Sequence, residues 1–168
     1  MSAVLPGFPK RLLPLARCTY DGGELSLGRD YVGDSESIAR GRVTCARCAR
    51  QYAITDGVLV LLDHANVDAA SAKGQCKRDS DGSTHESLDH PAARDGNEMD
   101  MQPVLREVCA GNIRTILDVG CGEGRYTLEL ARCADILALD FSIELLGKLR
   151  ERLPVGTHNV GLVLADAT

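Results

Sequence analysis

The sequence predicts an α/β fold, in which part of a doubly wound parallel sheet over residues 99–168 follows a small β-rich module. Three observations carry this. An apolar stretch at 115–119 runs into glycines at alternate positions and then into residues of helical composition. Two further short apolar runs follow, each ending in an aspartate. Near the N-terminus, two pairs of candidate metal ligands stand a hairpin's length apart.

The first element reads Leu117-Asp118-Val119-Gly120-Cys121-Gly122-Glu123-Gly124-Arg125. Ile116, Leu117 and Val119 make a buried parallel strand, and Arg125 to Ala131 has helix composition. Glycines suit a sharp turn where a ligand touches the backbone and a Cβ would intrude. Strand, turn and helix N-terminus together form a nucleotide-sized pocket at the strand's carboxyl end. The dinucleotide fingerprint orders its glycines G-x-G-x-x-G, whereas here the order is G-x-G-x-G and Arg125 stands where the last glycine would fall. Asp118, two residues before the first glycine, would repel a pyrophosphate but suits a cationic ligand end. The run resembles motif I of the class I S-adenosylmethionine-dependent methyltransferases, close to L-D-x-G-C-G-x-G, and the resemblance extends from Thr115 to the C-terminus. It implies that Asp118, Gly120, Cys121, Gly122 and Gly124 surround S-adenosylmethionine.

Ile136-Leu137-Ala138-Leu139-Asp140-Phe141-Ser142 is the second element. An acid at a strand tip is placed to accept hydrogen bonds from both hydroxyls of a ribose. The resemblance gives Asp140 that role and sets Phe141 against the adenine. The competing role, a helix cap, is better filled by Ser142. The third element, Gly161-Leu162-Val163-Leu164-Ala165-Asp166-Ala167, again ends in an acid followed by a small residue. By the same resemblance, Asp166 receives the adenine amine and the backbone amide of Ala167 reaches a ring nitrogen. Alone, an aspartate after a strand is ordinary turn chemistry.

Strands are thus expected at roughly 115–120, 136–140 and 161–165. They correspond to the cofactor half of a Rossmann-like methyltransferase sheet, whose substrate half and catalytic motif would lie beyond Thr168. The chain therefore reads as truncated and inactive alone. The edge of its first strand is left open for association. Ser142 caps a helix from Ile143 to Leu153, with Pro154 after it, and Ile143, Leu146, Leu149 and Leu153 form its apolar face. Lys148, Arg150 and Arg152 suit the helix dipole and read as a solvated face. Residues 101–110 read as a lead-in helix.

The N-terminal module, residues 1–63, carries Cys18-Thr19-Tyr20-Asp21, then Cys45-Ala46-Arg47-Cys48, then Tyr52-Ala53-Ile54-Thr55-Asp56-Gly57. Two paired-ligand turns separated by a hairpin form the layout of a zinc ribbon. The module resembles the small zinc ribbon at the N-terminus of some bacterial methyltransferases, which reads C-P-x-C-x-G-x-L, C-x-x-C, Y-P-I-x-D-G-I-P. Gly23, Leu25, Tyr52, Ile54, Asp56 and Gly57 match it. Asp21 stands in place of a cysteine. Either Cys18, Asp21, Cys45 and Cys48 hold a weaker zinc site, or the metal has been lost and the ribbon persists on its core.

Residues 64–98 hold almost no large apolar side chains and read as a flexible linker whose His85 and His90 are solvated. The first 60 residues carry eight basic and six acidic side chains, the remainder being acidic, for a net charge of −5. Arg40, Arg42, Arg47 and Arg50 cluster near the second cysteine pair, a modest phosphate-attracting surface at most. Cys76, Cys109 and Cys133 are scattered and are expected to be reduced thiols in a cytoplasmic protein. No secretory signal or membrane-spanning run is visible. The composition excludes a membrane partner and gives no support for DNA. The expected function is an S-adenosylmethionine-dependent methyltransferase acting on a small molecule or an RNA base. The alternative is a non-catalytic module that binds cofactor or a partner.

Overall fold

The computed structural model describes residues 6–62 and 101–167, so the expected linker at 64–98, with Cys76, His85 and His90, lies outside the described residues. The N-terminal module contributes β1 (Phe8–Pro9), a 3-10 helix (Lys10–Leu15), β2 (Leu25–Leu27), β3 (Val32–Gly33), β4 (Ser37–Cys45), β5 (Gln51–Thr55) and β6 (Val58–Val60). The C-terminal part adds a helix over 101–107, a widened turn at Val108–Asn112, and β7 (Thr115–Val119). After these come a short helix (Thr127–Leu130), β8 (Asp135–Asp140), a longer helix (Ile143–Arg152) and β9 (Val160–Leu164). The three expected strands are present within a residue of their predicted ends.

One sheet passes through both parts, in the order β1-β4-β5-β6-β9-β8-β7, with β2 and β3 also pairing β4. The N-terminal ladders are antiparallel; β7, β8 and β9 are parallel, as strands joined by helices must be. The join is a parallel pairing of β6 with β9, Val58 opposite Leu162 and Val60 opposite Leu164, extended by the Leu61 and Leu62 amides, which both donate to the Leu164 carbonyl. At the far side, β7 pairs only with β8 among the described residues, and Leu117 and Val119 on it are more than half exposed. The strand is therefore not buried as its apolar run predicts, because its outer edge has no partner among the described residues; the open edge itself is as expected.

Side chains alternate across this sheet with the two-residue period of a strand. Ile136, Ala138, Val160, Leu162 and Leu164 pack under the Ile143–Arg152 helix with Leu146 and Leu149. Leu137, Val163 and Ala165 face the opposite way, into a core built by Phe8, Leu12, Leu13, Ile38, Val43, Ile54 and Leu59. The N-terminal module thus covers the face that a parallel sheet must also bury. Phe8 lies over Gly161, where a Cβ would come within 3.1 Å of its ring.

Several expectations are corrected here. The helix predicted from Arg125 begins at Thr127, because the preceding residues form turns in which the Gly124 amide donates to the Cys121 carbonyl. Cys109 and Cys133 are joined by a disulfide, with Cα atoms 5.2 Å apart, and are not free thiols; the fold brings the turn before β7 against the loop before β8, a proximity no local spacing reveals. Of the basic residues of the last helix, Lys148 is exposed as expected, but Arg150 and Arg152 are not simply solvated. Arg152 pairs with Glu123 of the glycine loop at 3.1 Å, and Arg150 donates to the Asp56 carbonyl of the N-terminal module. No described helix is long and apolar enough to cross a membrane.

Candidate functional site

The carboxyl ends of β7, β8 and β9 lie side by side, and the loops leaving them carry the residues singled out in the sequence. Asp118 is opposite Ala138, and Asp140 is opposite Leu164, two residues before Asp166. The glycine loop is stitched to β8. Amides of Gly120 and Cys121 both donate to the Leu139 carbonyl, at 2.8 and 3.0 Å. The Gly122 amide donates to Asp140 Oδ2 at 2.8 Å, and the Ser142 amide to Asp140 Oδ1 at 2.8 Å. Ser142 in turn caps the following helix, accepting from the Leu145 amide at 3.3 Å as its sequence position predicts. The Ala165 amide donates to the Asp140 carbonyl, drawing in the third strand end. Phe141 lies half-buried beside these bonds.

The three glycines do different work. Gly120 and Gly122 have φ of +74° and +54°, and a Cβ on either would project into open space with nothing within 4 Å. They leave a cradle that a side chain would fill. Gly124, at φ +92°, faces inward, where a Cβ would sit 2.2 Å from Leu149 Cδ1. It is a packing glycine.

Asp118 and Asp140 both act on Cys121 between them. Burial, then the charges of Asp140 and Asp118, push the Cys121 thiol well above its ordinary range, so it stays protonated. Thr127, fully buried, donates through Oγ1 to Asp118 Oδ2 at 2.5 Å. Neither this bond nor the Glu123–Arg152 pair was visible in the sequence; a buried hydroxyl nine residues after an acid is a signal only once the turn between them is known.

At the other end of the sheet, Cys18, Asp21, Cys45 and Cys48 converge, their ligand atoms all within 4.8 Å of one another. Each pair sits on a tight turn. The Gly22 amide donates to the Cys18 carbonyl, and the Ala49 amide to the Cys45 carbonyl, with Ala49 at φ +60°. Gly23 is required there, since a Cβ would lie 2.5 Å from Cys45 Sγ. Cys18 Sγ and Cys48 Sγ are 3.7 Å apart, and Cys45 Sγ is 3.3 Å from Asp21 Oδ1. Zinc–sulfur bonds of about 2.3 Å at tetrahedral angles place two sulfurs about 3.8 Å apart, so the donor set fits the metal.

The surroundings tune these groups. Burial opposes ionisation of Cys18, but bonds from the Tyr52 hydroxyl and from the Asp21 and Tyr20 amides outweigh it and hold the thiol below its ordinary value. The Gly23 amide and the neighbouring thiols, working against burial, bring Asp21 down to about 2. For Cys48 the Arg50 amide favours the thiolate, yet burial and the adjacent Cys45, Cys18 and Asp21 lift it to about 11. Tyr52, 3.0 Å from Cys18 Sγ, is a supporting group not assigned from sequence. Of the arginine cluster, Arg40 pairs with Asp56 at 3.2 Å, Arg47 donates to the Asp21 carbonyl at 2.6 Å, and Arg50 stacks on Tyr20 at 4.4 Å. These arginines hold their own module together.

Among solved structures, the phosphoethanolamine N-methyltransferase 1 of Haemonchus contortus, in complex with phosphoethanolamine and S-adenosylhomocysteine, is similar to this chain at 22% identity and a TM-score of 0.46. The alignment covers 62% of this chain and 24% of that one, so the chain spans about a quarter of that protein's length. No curated protein matches. Residues 116–168, from within β7 to the C-terminus, match the model of the methyltransferase domain family.

Proposed function

We propose that the chain contributes the S-adenosylmethionine-binding part of a methyltransferase whose acceptor, a small molecule or an RNA base, is undetermined. The observation that carries the proposal is the glycine cradle flanked by Asp118, Asp140 and Asp166 at three adjacent strand ends, within the segment that matches the methyltransferase domain. The cradle fits the cofactor: Gly120 and Gly122 open a space beside carboxylates, and each oxygen of Asp140, already taking one amide, has a second lone pair for a ribose hydroxyl. Asp166 and Ala167 would meet the adenine edge, and Phe141 its face. Asp118 would face the cationic methionine end. Bound S-adenosylmethionine supplies an electrophilic methyl group on a sulfonium. The residues of this chain bind and orient it, and the work done is positioning.

Calorimetric titration with S-adenosylhomocysteine and with NADH tests the proposal. Saturable binding of the first and none of the second is expected. Tight NADH binding with no response to S-adenosylhomocysteine would end the methyltransferase reading.

We further propose that Cys18, Asp21, Cys45 and Cys48 hold zinc in a ribbon, on the convergence of their ligand atoms. Elemental analysis of protein prepared without chelator should find about one zinc per chain. Asp21→Cys should tighten binding, because a thiolate suits zinc better than a carboxylate at a structural site. Metal-free protein whose N-terminal module still resists protease would show instead that the ribbon stands on its apolar core.

A further inference from the structure

We propose that Thr127 is a positioning residue for ligand recognition, fixing Asp118 so that its carboxylate faces the cationic end of the ligand in the glycine cradle. The inference rests on the S-adenosylmethionine reading of that cradle and adds to it a residue outside every motif so far described.

Thr127 opens the short helix after the glycine loop and is fully buried, one of very few polar side chains so placed among the described residues. A buried hydroxyl needs a partner, and this one has chosen a charge: Oγ1 donates to Asp118 Oδ2 at 2.5 Å. Such charge-assisted bonds are short and directional, so Asp118, the penultimate residue of β7, is held in one orientation. Oδ2 is committed to the protein, and Oδ1 is the oxygen left to meet a ligand. The carboxylate lies at the loop, since its charge, with that of Asp140, raises the Cys121 thiol.

The glycine loop is also positioned through its backbone, by Leu139 and Asp140, and through the Glu123–Arg152 pair. Thr127 acts on a different part of the ligand. It adds nothing to the ribose or adenine ends and bears only on the amino-acid end, where S-adenosylhomocysteine carries an ammonium. The role therefore separates from a general loosening of the pocket by choice of ligand. 5′-Methylthioadenosine keeps the adenine and ribose but lacks the amino-acid end.

The experiment compares S-adenosylhomocysteine and 5′-methylthioadenosine by calorimetry on the full chain and on Thr127→Val, which keeps the shape and removes the donor. Thr127→Val should weaken S-adenosylhomocysteine roughly three- to tenfold, the loss of one oriented charge contact, and leave 5′-methylthioadenosine unchanged. Thr127→Ser should restore the wild-type ratio. Asp118→Asn should show the same ligand selectivity, and Thr127→Ala, which also removes the donor, keeps the proposal testable should Thr127→Val fail to fold. Equal losses for both ligands, or none for either, would overturn the role of Thr127 while the pocket's identity stands. Wild-type protein that binds neither ligand would overturn the two together.

Discussion

Asp140→Ala is expected to lower the affinity for S-adenosylhomocysteine by about 1–3 kcal/mol, with a smaller loss of stability in the free protein. The carboxylate carries two loads. Oδ2 takes the Gly122 amide and Oδ1 the Ser142 amide, so the side chain ties the glycine loop to the start of the next helix. Its remaining lone pairs are those proposed for the ribose hydroxyls. Alanine removes both at once, leaving the hydroxyls without a charged acceptor and Gly122 free to drift from the cradle floor. Asparagine separates the loads, because its amide nitrogen cannot accept a backbone N–H and one of the two ties is lost while one oxygen remains. Asp140→Asn should therefore fall between wild type and alanine in ligand affinity. The measurement is calorimetric titration of the three proteins, with a thermal melt of each in the absence of ligand. An alanine variant that binds S-adenosylhomocysteine as wild type does would remove Asp140 from the site.

What the sequence made legible were features whose cause is local. Apolar runs leading to Asp118, Asp140 and Asp166 mark the three parallel strands, a continuously apolar run being the mark of a strand made for a sheet interior, as β9 is and as β7, exposed at its open edge, is not. Ser142 announced its cap because a hydroxyl at a helix start satisfies an otherwise orphaned amide. The convergence of Cys18, Asp21, Cys45 and Cys48 followed from the spacing of two tight turns joined by antiparallel strands.

Features that depend on distant meetings were not legible. The pairing of β6 with β9 joins residues about a hundred positions apart, and nothing in the run Val58-Leu59-Val60 names its partner. The run is nonetheless apolar on both faces, Leu59 entering one core and Val58 the other, which is the mark of an interior strand and not of a free hairpin edge. The Cys109–Cys133 disulfide and the Glu123–Arg152 pair are of the same kind. Each needs the turns between its members to be known before proximity can be argued. Thr127 was absorbed into a stretch of helical composition, and its buried hydroxyl makes sense only against Asp118.

Gly124→Ala is expected to cost about 2–5 kcal/mol of stability, from left-handed strain combined with overpacking. Both terms are visible. At φ +92° an L side chain is strained, and the new Cβ would meet Leu149 Cδ1 at 2.2 Å, with Leu128 Cγ next at 3.4 Å. Leu149 has no room to yield, since it is fully buried beside Leu146 beneath the sheet. Total stabilities of about 5–15 kcal/mol make a loss of this size a large fraction of the whole. Gly122→Ala supplies the contrast. Its φ of +54° suits an alanine better, and its Cβ would touch nothing within 4 Å, so only a modest backbone penalty of about 1 kcal/mol is expected. That Cβ would instead occupy the cradle and exclude the ligand. Urea unfolding should therefore single out Gly124→Ala, and titration with S-adenosylhomocysteine should single out Gly122→Ala. If the two variants lose stability equally, or if Gly122→Ala binds the ligand normally, the division of these glycines into one that packs and one that opens the pocket is wrong.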